Sequence, residues 1–476
     1  MEAPKEVTVI FDIGKTNKKL IVFDKNYSVL QIHERSFDEI VDDDGYPCDN
    51  LELLVDWIKK SFRDILKDPQ FKVDSLNFSA YGATLVHLDE NGKVVTPLYN
   101  YLKPYPEELE QNLYKTYGGK EAFMQKTASP SLGMLNSVLQ LYWIKHEKPA
   151  LFKKIHHTLH FPQYLSFLFT GKYTTEKTSI GCHTAAWDFE SHDYHDWIKE
   201  EGLRDLFPDI QSVTQSYECT FEGSTFQCGI GIHDSSAALA PYLYTLEEPF
   251  LLTSTGTWCI TFNPFDSSQL TTQDLEKDCM YYMNIFGNRV KASRLFLGNE
   301  YRHQKEKLDQ HFSRSISGNE VELNEELLRK LIYSEDPSLK MEPETLYRSD
   351  HKEVDKPGNW NLNKFSSYEE AYHQLMIDLV SHQAESIELS QGADEINKLI
   401  ITGGFSKNNI YLRLLASRFP DKKVYTVSQS HISALGAALV CDVDYRSRGS
   451  IKPINNLRHH DPVPNSGIDA YSSRVG

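Results

Sequence analysis

Four short stretches of the chain carry residue types that suit the handling of phosphate. The first is Asp12-Ile13-Gly14-Lys15-Thr16-Asn17-Lys18-Lys19, at the end of an apolar run. A carboxylate ending a strand can hold a hydrated divalent cation, and Gly14 has no Cβ to keep backbone amides from phosphate oxygens. Thr16 and Asn17 add donors, and Lys19, on the return strand, can reach a phosphate. The second is Gly231-Ile232-His233-Asp234-Ser235-Ser236-Ala237-Ala238, which sets Asp234 before a small-residue helix. The helix dipole and free N–H groups there favour an ionised carboxylate. Such a carboxylate can take the proton of a hydroxyl as it attacks a γ-phosphate. The third, Ser254-Thr255-Gly256-Thr257-Trp258, puts small hydroxyl residues and a glycine at a strand-to-strand turn, again suited to phosphate. The fourth, Ile401-Thr402-Gly403-Gly404-Phe405-Ser406-Lys407-Asn408, ends a buried strand in a glycine pair, a flat platform for an adenine or ribose. Each stretch also has a purely structural reading. These are a hairpin turn, an N-cap aspartate, a tight turn with a core Trp258, and a strand-to-helix connection with Asn408 as N-cap.

These residues need strands and helices to hold them. Val7–Gly14 and Lys18–Asp24 are apolar, mostly β-branched runs around a turn, which predicts a hairpin in a sheet buried on both faces. Leu51–Leu66 has apolar residues at helical spacing. Ser75–Ala83 and Thr84–Glu90 read as strands, and Val138–Phe152 and Pro162–Gly171 as helices, the latter stopped by its glycine. Beyond a change of character near Gly223–Gly231, Glu248–Phe262 reads as strand, Tyr301–Pro357 as polar helices and loops, Tyr368–Ser390 as a long amphipathic helix, Asn397–Phe405 as a buried strand and Ser433–Tyr445 as a small-residue helix. The strand, glycine turn and strand that opens the chain is weakly repeated around Glu248–Phe262. Two halves built alike would leave a ligand cleft between them. The expected division is 1–228, 229–445 and a peripheral extension, 446–476.

Composition narrows the function further. The chain has 476 residues, with 67 acidic and 50 basic side chains and a formal charge of −17. Phosphate-backbone affinity comes from clustered Lys and Arg, so neither nucleic acid nor an anionic membrane is an expected partner. No apolar run approaches the ~20 residues that span a bilayer, and the first residues lack the basic and apolar regions of a secretory signal. Seven scattered cysteines without a CxxC pair point to reduced thiols in a cytoplasm, not to a disulfide framework or structural zinc.

The order of the four stretches resembles that of the FGGY family of carbohydrate kinases, within the actin-like ATPase superfamily, over about Val7 to Tyr445. Ser137, Leu141, Trp143 and Glu147 fall on the family's first signature, with Gln140 where lysine is usual. Pro162–Gly171 followed by Thr175-Glu176-Lys177-Thr178-Ser179 is similar to another family segment, and SALGAAL to its last helix. The resemblance implies an α/β fold of two actin-like (ribonuclease H-like) domains with a ligand cleft between them. It also implies transfer of the γ-phosphate of ATP to a sugar hydroxyl, with Mg²⁺. Asp234 would be the general base and Asp12 would act through the metal. Gly14, Thr16, Asn17, Lys19, Ser254, Gly256 and Thr257 would contact phosphates, and Gly403, Gly404 and Asn408 would flank the adenine.

The His233-Asp234 pair and Trp258 are similar to kinases of 6-deoxy-ketohexoses such as L-rhamnulose and L-fuculose. The family's aromatic-x-Asp-x-Arg sugar segment is missing: Pro97–Pro104 has neither acid nor arginine, and Lys15 stands where the first turn usually has Thr, Ser or Ala. Gly82, Ala83, Thr84 and Tyr101, with Tyr81, Asn100 and Lys103, are the expected replacements beside His233 and Asp234. A kinase for xylulose or another ketose or polyol stays open, as does a non-catalytic ATP-binding regulator, although a regulator would have little need of Asp234. A homodimer is left open too. A redox enzyme lacks its dinucleotide glycine fingerprint here.

Overall fold

The computed structural model describes residues 3–266, 268–346, 360–392, 395–427, 429–442, 454 and 456–463. The opening hairpin forms as expected. Lys5–Ile13 pairs antiparallel with Lys18–Asp24, which pairs with Val29–Arg35. On its other side Lys5–Ile13 pairs parallel with Phe71–Ala80, which also borders Ser224–Gly229 and the short strand Ile232–His233. Alternation along the first strand explains its unbroken apolar run. Val7, Val9 and Phe11 pack in one cluster with Leu54, Ile58 and Phe62 of helix Leu51–Lys67. Ile10, with Ile21 and Phe23 of the next strand, packs on the other face against Ala237, Ala240, Leu435 and Ala438.

A second sheet repeats the plan. Leu251–Thr255 and Cys259–Asn263 form a hairpin around Gly256, the strand, glycine turn and strand expected around Glu248–Phe262. Arg289–Leu295 and Cys279–Met283 continue it antiparallel. Leu251–Thr255 pairs parallel with Lys398–Gly403, which pairs parallel with Lys423–Val427. Helix Tyr368–Gln391 covers this sheet with Leu297–His311, and Tyr372, Leu375, Leu379 and Leu308 are fully buried there. Within the stretch read as a peripheral extension, Leu457–His460 forms the edge strand, His460 opposite Val424. The backbone groups on that edge of Lys423–Val427 are thereby paired.

The two small-residue runs form helices Asp234–Thr245 and Ile432–Cys441. Residues 443–445 of the expected second helix lie outside the described residues. The two helices pack on each other and on the first sheet, although the second comes from the far end of the chain. Their backbones nearly touch: a Cβ on Gly436 would stand 1.8 Å from the Ala237 carbonyl oxygen. Only small residues permit that approach, which accounts for the composition of both runs. Among the described residues no helix is long and apolar enough to cross a membrane.

Candidate active site

Asp12 lies near the end of its strand, paired with Lys19 on one side and Ser79 on the other. Its carboxylate is partly exposed, and Oδ2 accepts a 2.9 Å hydrogen bond from the Ser433 hydroxyl. Ser433 lies in the first turn of Ile432–Cys441. Asp234 is the first residue of the other small-residue helix, with His233 as the N-cap residue. The backbone contact between the helices therefore sets the two carboxylates at neighbouring helix N-termini. Burial raises the pKa of Asp12, the Ser433 hydrogen bond opposes that, and the nearby negative charge of Asp234 raises it further.

Asp234 is 31% exposed at its side chain, yet burial pushes its pKa up to about 6, against only a 3.1 Å hydrogen bond from Ser235 Oγ and a backbone contact. The sequence argument expected the helix end to keep this group ionised; desolvation opposes that, and at about 6 the carboxyl is still mostly ionised at neutral pH. Nor does His233 supply a counter-cation. Its Nε2 is 3.3 Å from Asp234 Oδ1 and 3.1 Å from Cys182 Sγ, but burial lowers its pKa to about 3 and the ring is neutral. Gly82 closes over this pair, since a Cβ there would come within 2.9 Å of His233 Nε2. Glu176 fixes the backbone just before Asp234. Its Oε1 accepts from Thr178 Oγ1 at 2.7 Å, and that hydroxyl oxygen accepts from the His233 N–H at 3.2 Å.

The expected phosphate and adenine residues divide into groups. Thr16 and Asn17 are exposed at the first turn, and the Gly14 N–H donates to the Asn17 carbonyl. Lys19 pairs with Glu34 at 3.1 Å and its charge reaches Asp12. Lys15 turns away from the turn to Asp49, 2.7 Å from Oδ2. In the second half, Gly256, Thr257, Gly403 and Gly404 are exposed together and Ser254 is half-buried. Gly403 has φ +82°, and a Cβ on it would lie 1.9 Å from the Thr255 carbonyl oxygen, so this site excludes other residues. Gly298, which the sequence reading passed over, seats the same turn on helix Leu297–His311, with a built Cβ 1.9 Å from the Gly256 carbonyl oxygen. Asn408 is buried as the N-cap of Asn409–Arg418, accepting from the Tyr411 N–H and donating to Tyr372 Oη at 2.7 Å. It holds the Gly404–Lys407 turn and does not face an open surface.

Of the expected sugar residues, Gly82 and Tyr101 keep some exposure, while Ala83 and Thr84 are buried. Ala83 has φ +58°, and its carbonyl accepts from Gln140 Nε2 at 2.8 Å. The glutamine that replaces the usual lysine thus braces a left-handed backbone position. Tyr81 donates to Asp49 Oδ2 at 2.6 Å. Asn100 and Lys103 serve the loop itself: Asn100 Nδ2 donates to the Pro47 carbonyl, and Lys103 pairs with Asp42 at 2.6 Å. A cavity of about 470 Å³ lies beside Tyr101, Tyr105 and Gly133 of the first half and Trp258 and Arg294 of the second. A larger one, about 1140 Å³, shares Trp258 and Arg294 and runs on to helix Tyr368–Gln391. Neither is walled by Asp12 or Asp234.

Two duplicated halves, with paired carboxylates where they meet, define an actin-like two-domain fold. A family model described as "FGGY family of carbohydrate kinases, N-terminal domain" matches residues 7–232, and "Carbohydrate kinase FGGY, C-terminal domain" matches 247–449. The chain belongs to the FGGY family of carbohydrate kinases. A rhamnulokinase of Halalkalibacterium halodurans is 24% identical over 265 residues, 52% of this chain and 54% of that protein. An L-fuculokinase of Escherichia coli K12 is 20% identical over 53% of this chain and 56% of that protein. The chain thus spans about half the length of the curated relatives it matches. In fold it is similar to a carbohydrate kinase from Novosphingobium aromaticivorans, with TM-score 0.80 and 21% identity over 99% of this chain and 98% of that one. It is also similar to a ligand-bound xylulose kinase from Lactobacillus acidophilus, with TM-score 0.78 and 14% identity over 99% and 96%.

Proposed function

We propose that the protein is an ATP-dependent kinase that transfers the γ-phosphate of ATP to a hydroxyl of a ketose, a 6-deoxy-ketohexose such as L-rhamnulose or L-fuculose being the expected acceptor. The observation that carries this reading is that Asp12, bonded to Ser433, and Asp234 both lie at the N-termini of two helices packed backbone to backbone. In the proposed step Asp234 accepts the acceptor hydroxyl's proton as its oxygen bonds to the γ-phosphorus. The bond to the β-bridging oxygen breaks and ADP leaves. A base with a pKa of about 6 is ionised at neutral pH and close enough to the working range to pass the proton on. The exposed turns at Gly14–Asn17 and Gly256–Thr257 would orient phosphates through backbone amides, and Gly403–Gly404 would receive the base of the nucleotide.

Asp12 fits a role in holding Mg²⁺. It is a hard oxygen donor, steadied by Ser433, partly open to the crevice, and in a place where a second carboxylate already makes negative charge costly. When bound, Mg²⁺ would neutralise charge on the phosphates. The rhamnulokinase and L-fuculokinase relatives support the sugar class. Assaying ADP release against a panel of ketoses, aldoses and polyols tests the reading. Ketose-dependent release that Asp234→Asn abolishes is the expected result. No release with any acceptor would overturn it, and release with xylulose alone would replace the 6-deoxy sugar.

A further inference from the structure

We infer that Asn77, on strand Phe71–Ala80, is a positioning residue for both carboxylates: its amide holds helix Ile432–Cys441 and the loop before Asp234 against one strand. This rests on the kinase reading above. Asn77 is fully buried and lies opposite Ile10, on a sheet face that Ile10 and Ile21 make apolar. Its Nδ2 donates to the Ala437 carbonyl at 2.9 Å, and its Oδ1 accepts from the Gly231 N–H at 3.0 Å. The partners fix the orientation of the amide, since a carbonyl needs a donor and an N–H an acceptor. An amide on an apolar face destabilises the fold unless both ends are bonded, and an apolar side chain would fill the place more simply. The chain also makes room for it: a Cβ on Gly229 would stand 2.6 Å from Asn77 Cγ and Oδ1.

The donor arm sets the height of Ser433. Ser433 and Ala437 are one turn apart on one face of their helix, about 6 Å along its axis. On the sheet, Ile10 stands opposite Asn77 and Asp12 opposite Ser79, so the two levels are two residues apart, about 6.6 Å. The bonds from Ser433 to Asp12 and from Asn77 to Ala437 are thus two rungs between the same helix and the same sheet. The approach of Gly436 to Ala237 brings the two helices together, but packing of small apolar groups is non-directional and permits sliding along the axis. The hydrogen bond from Asn77 prevents it.

The acceptor arm works on the side of the base. Gly231 lies three residues before Asp234, and its carbonyl accepts from Gln163 Nε2 at 3.0 Å, so the residue is held by both of its polar groups. Its φ is +83°, and a Cβ on it would lie 2.3 Å from the Pro162 carbonyl oxygen, so the loop follows a path that only glycine fits. Ile232 and His233 then pair with Ser79 and Ala80 of the strand that carries Asn77. One side chain thereby ties the hydroxyl that steadies Asp12 and the segment that delivers Asp234 to a single reference. Being fully buried, Asn77 acts through these groups and touches no ligand itself.

The test compares wild type with Asn77→Leu and Asn77→Ser, checked for folding by circular dichroism and assayed well below their melting temperatures. Leucine keeps the shape and loses both bonds, and serine is too short to span both partners. On the ketose found by the panel, Asn77→Leu should lower kcat about ten- to a hundredfold, as expected for a displacement near 1 Å at the reacting groups. The Mg²⁺ concentration for half-maximal rate should rise several-fold, and ketose KM should stay within twofold. Adding Ser433→Ala to Asn77→Leu should raise the Mg²⁺ requirement no further than Ser433→Ala alone, because both changes remove the same support of Asp12. A folded Asn77→Leu with wild-type kcat and Mg²⁺ requirement overturns the assignment, as does a ketose KM raised as much as kcat falls. Additive effects on the Mg²⁺ requirement overturn the path through Ser433. Asn77→Ser carries the same measurements if the leucine variant does not fold. Crystal structures of wild type and Asn77→Ser need no turnover and separate this inference from the kinase reading. Ser433 Oγ moved out of hydrogen-bond reach of Asp12 sustains the positioning role even if no sugar is phosphorylated. Ser433 and Asp234 both unmoved overturn it even if the protein is the proposed kinase.

Discussion

Replacing Asp234 with asparagine should make the protein more stable and nearly inactive at once. Burial moves this carboxyl from an ordinary 3.8 to about 6. That displacement corresponds to about 3 kcal/mol favouring the neutral form. The side chain is 31% exposed, so solvent screening reduces the effect to roughly 1–2 kcal/mol. Because the folded value lies above the unfolded one, the stabilisation from a protonated Asp234 is fully present below about pH 4 and is lost as pH rises through 6. Asparagine is neutral throughout. The variant should therefore exceed wild type above pH 7, by roughly 1–2 °C in melting temperature for a chain of this length, and the gap should close between pH 6 and pH 4.

The wild-type rate should show the same group. At saturating ketose and Mg²⁺, activity should fall below pH 6 with unit slope, reaching about a tenth of its plateau one pH unit lower. In the variant the rate should drop by about 10²- to 10⁴-fold, the usual worth of a general base. Differential scanning calorimetry across pH and coupled ADP assays would read both. An asparagine variant less stable than wild type at every pH, or a rate that stays flat down to pH 5, would refute the argument that Asp234 is a desolvated base.

Other perturbations separate the parts of the site. Ser433→Ala removes the 2.9 Å bond to Asp12 and should raise the Mg²⁺ concentration needed for half-maximal rate several-fold, with little change in ketose KM. Gly436→Val places carbon against the Ala237 carbonyl and should force the paired helices apart, lowering melting temperature and kcat together, by about 2 kcal/mol or more in stability. Gly403→Ala meets both a positive φ and the Thr255 carbonyl, so ATP KM should rise more than ketose KM. Lys103→Met strands the buried Asp42 carboxylate and should cost about 3 kcal/mol in denaturant unfolding while leaving ketose KM within twofold, since Lys103 serves its loop.

Much of this was legible in the sequence because it is local. Apolar runs around Gly14-Lys15-Thr16-Asn17 suffice for a hairpin, and a glycine pair after an apolar strand suffices for the Gly403–Gly404 turn, whose φ of +82° only glycine adopts freely. The small-residue runs at Asp234 and Ser433 were each readable as helices, and the order of motifs carried the family. What the sequence alone could not decide is non-local. Helices some two hundred residues apart pack through Gly436 and Ala237, and only that contact brings Ser433 to Asp12 and Asp12 before Asp234. Arg294 sits in no motif, because its partners Asp278 and Trp258 lie in turns remote from it in sequence. Asn100, Lys103 and Asn408 have the residue types of ligand contacts but face inwards, and nothing local tells a hydrogen bond to a ligand from one to Pro47 or Tyr372. The protonation of Asp234 is also tertiary. The helix end that favours its charge can be read from the chain, but the loss of water that opposes it arises only when the folded chain buries the group.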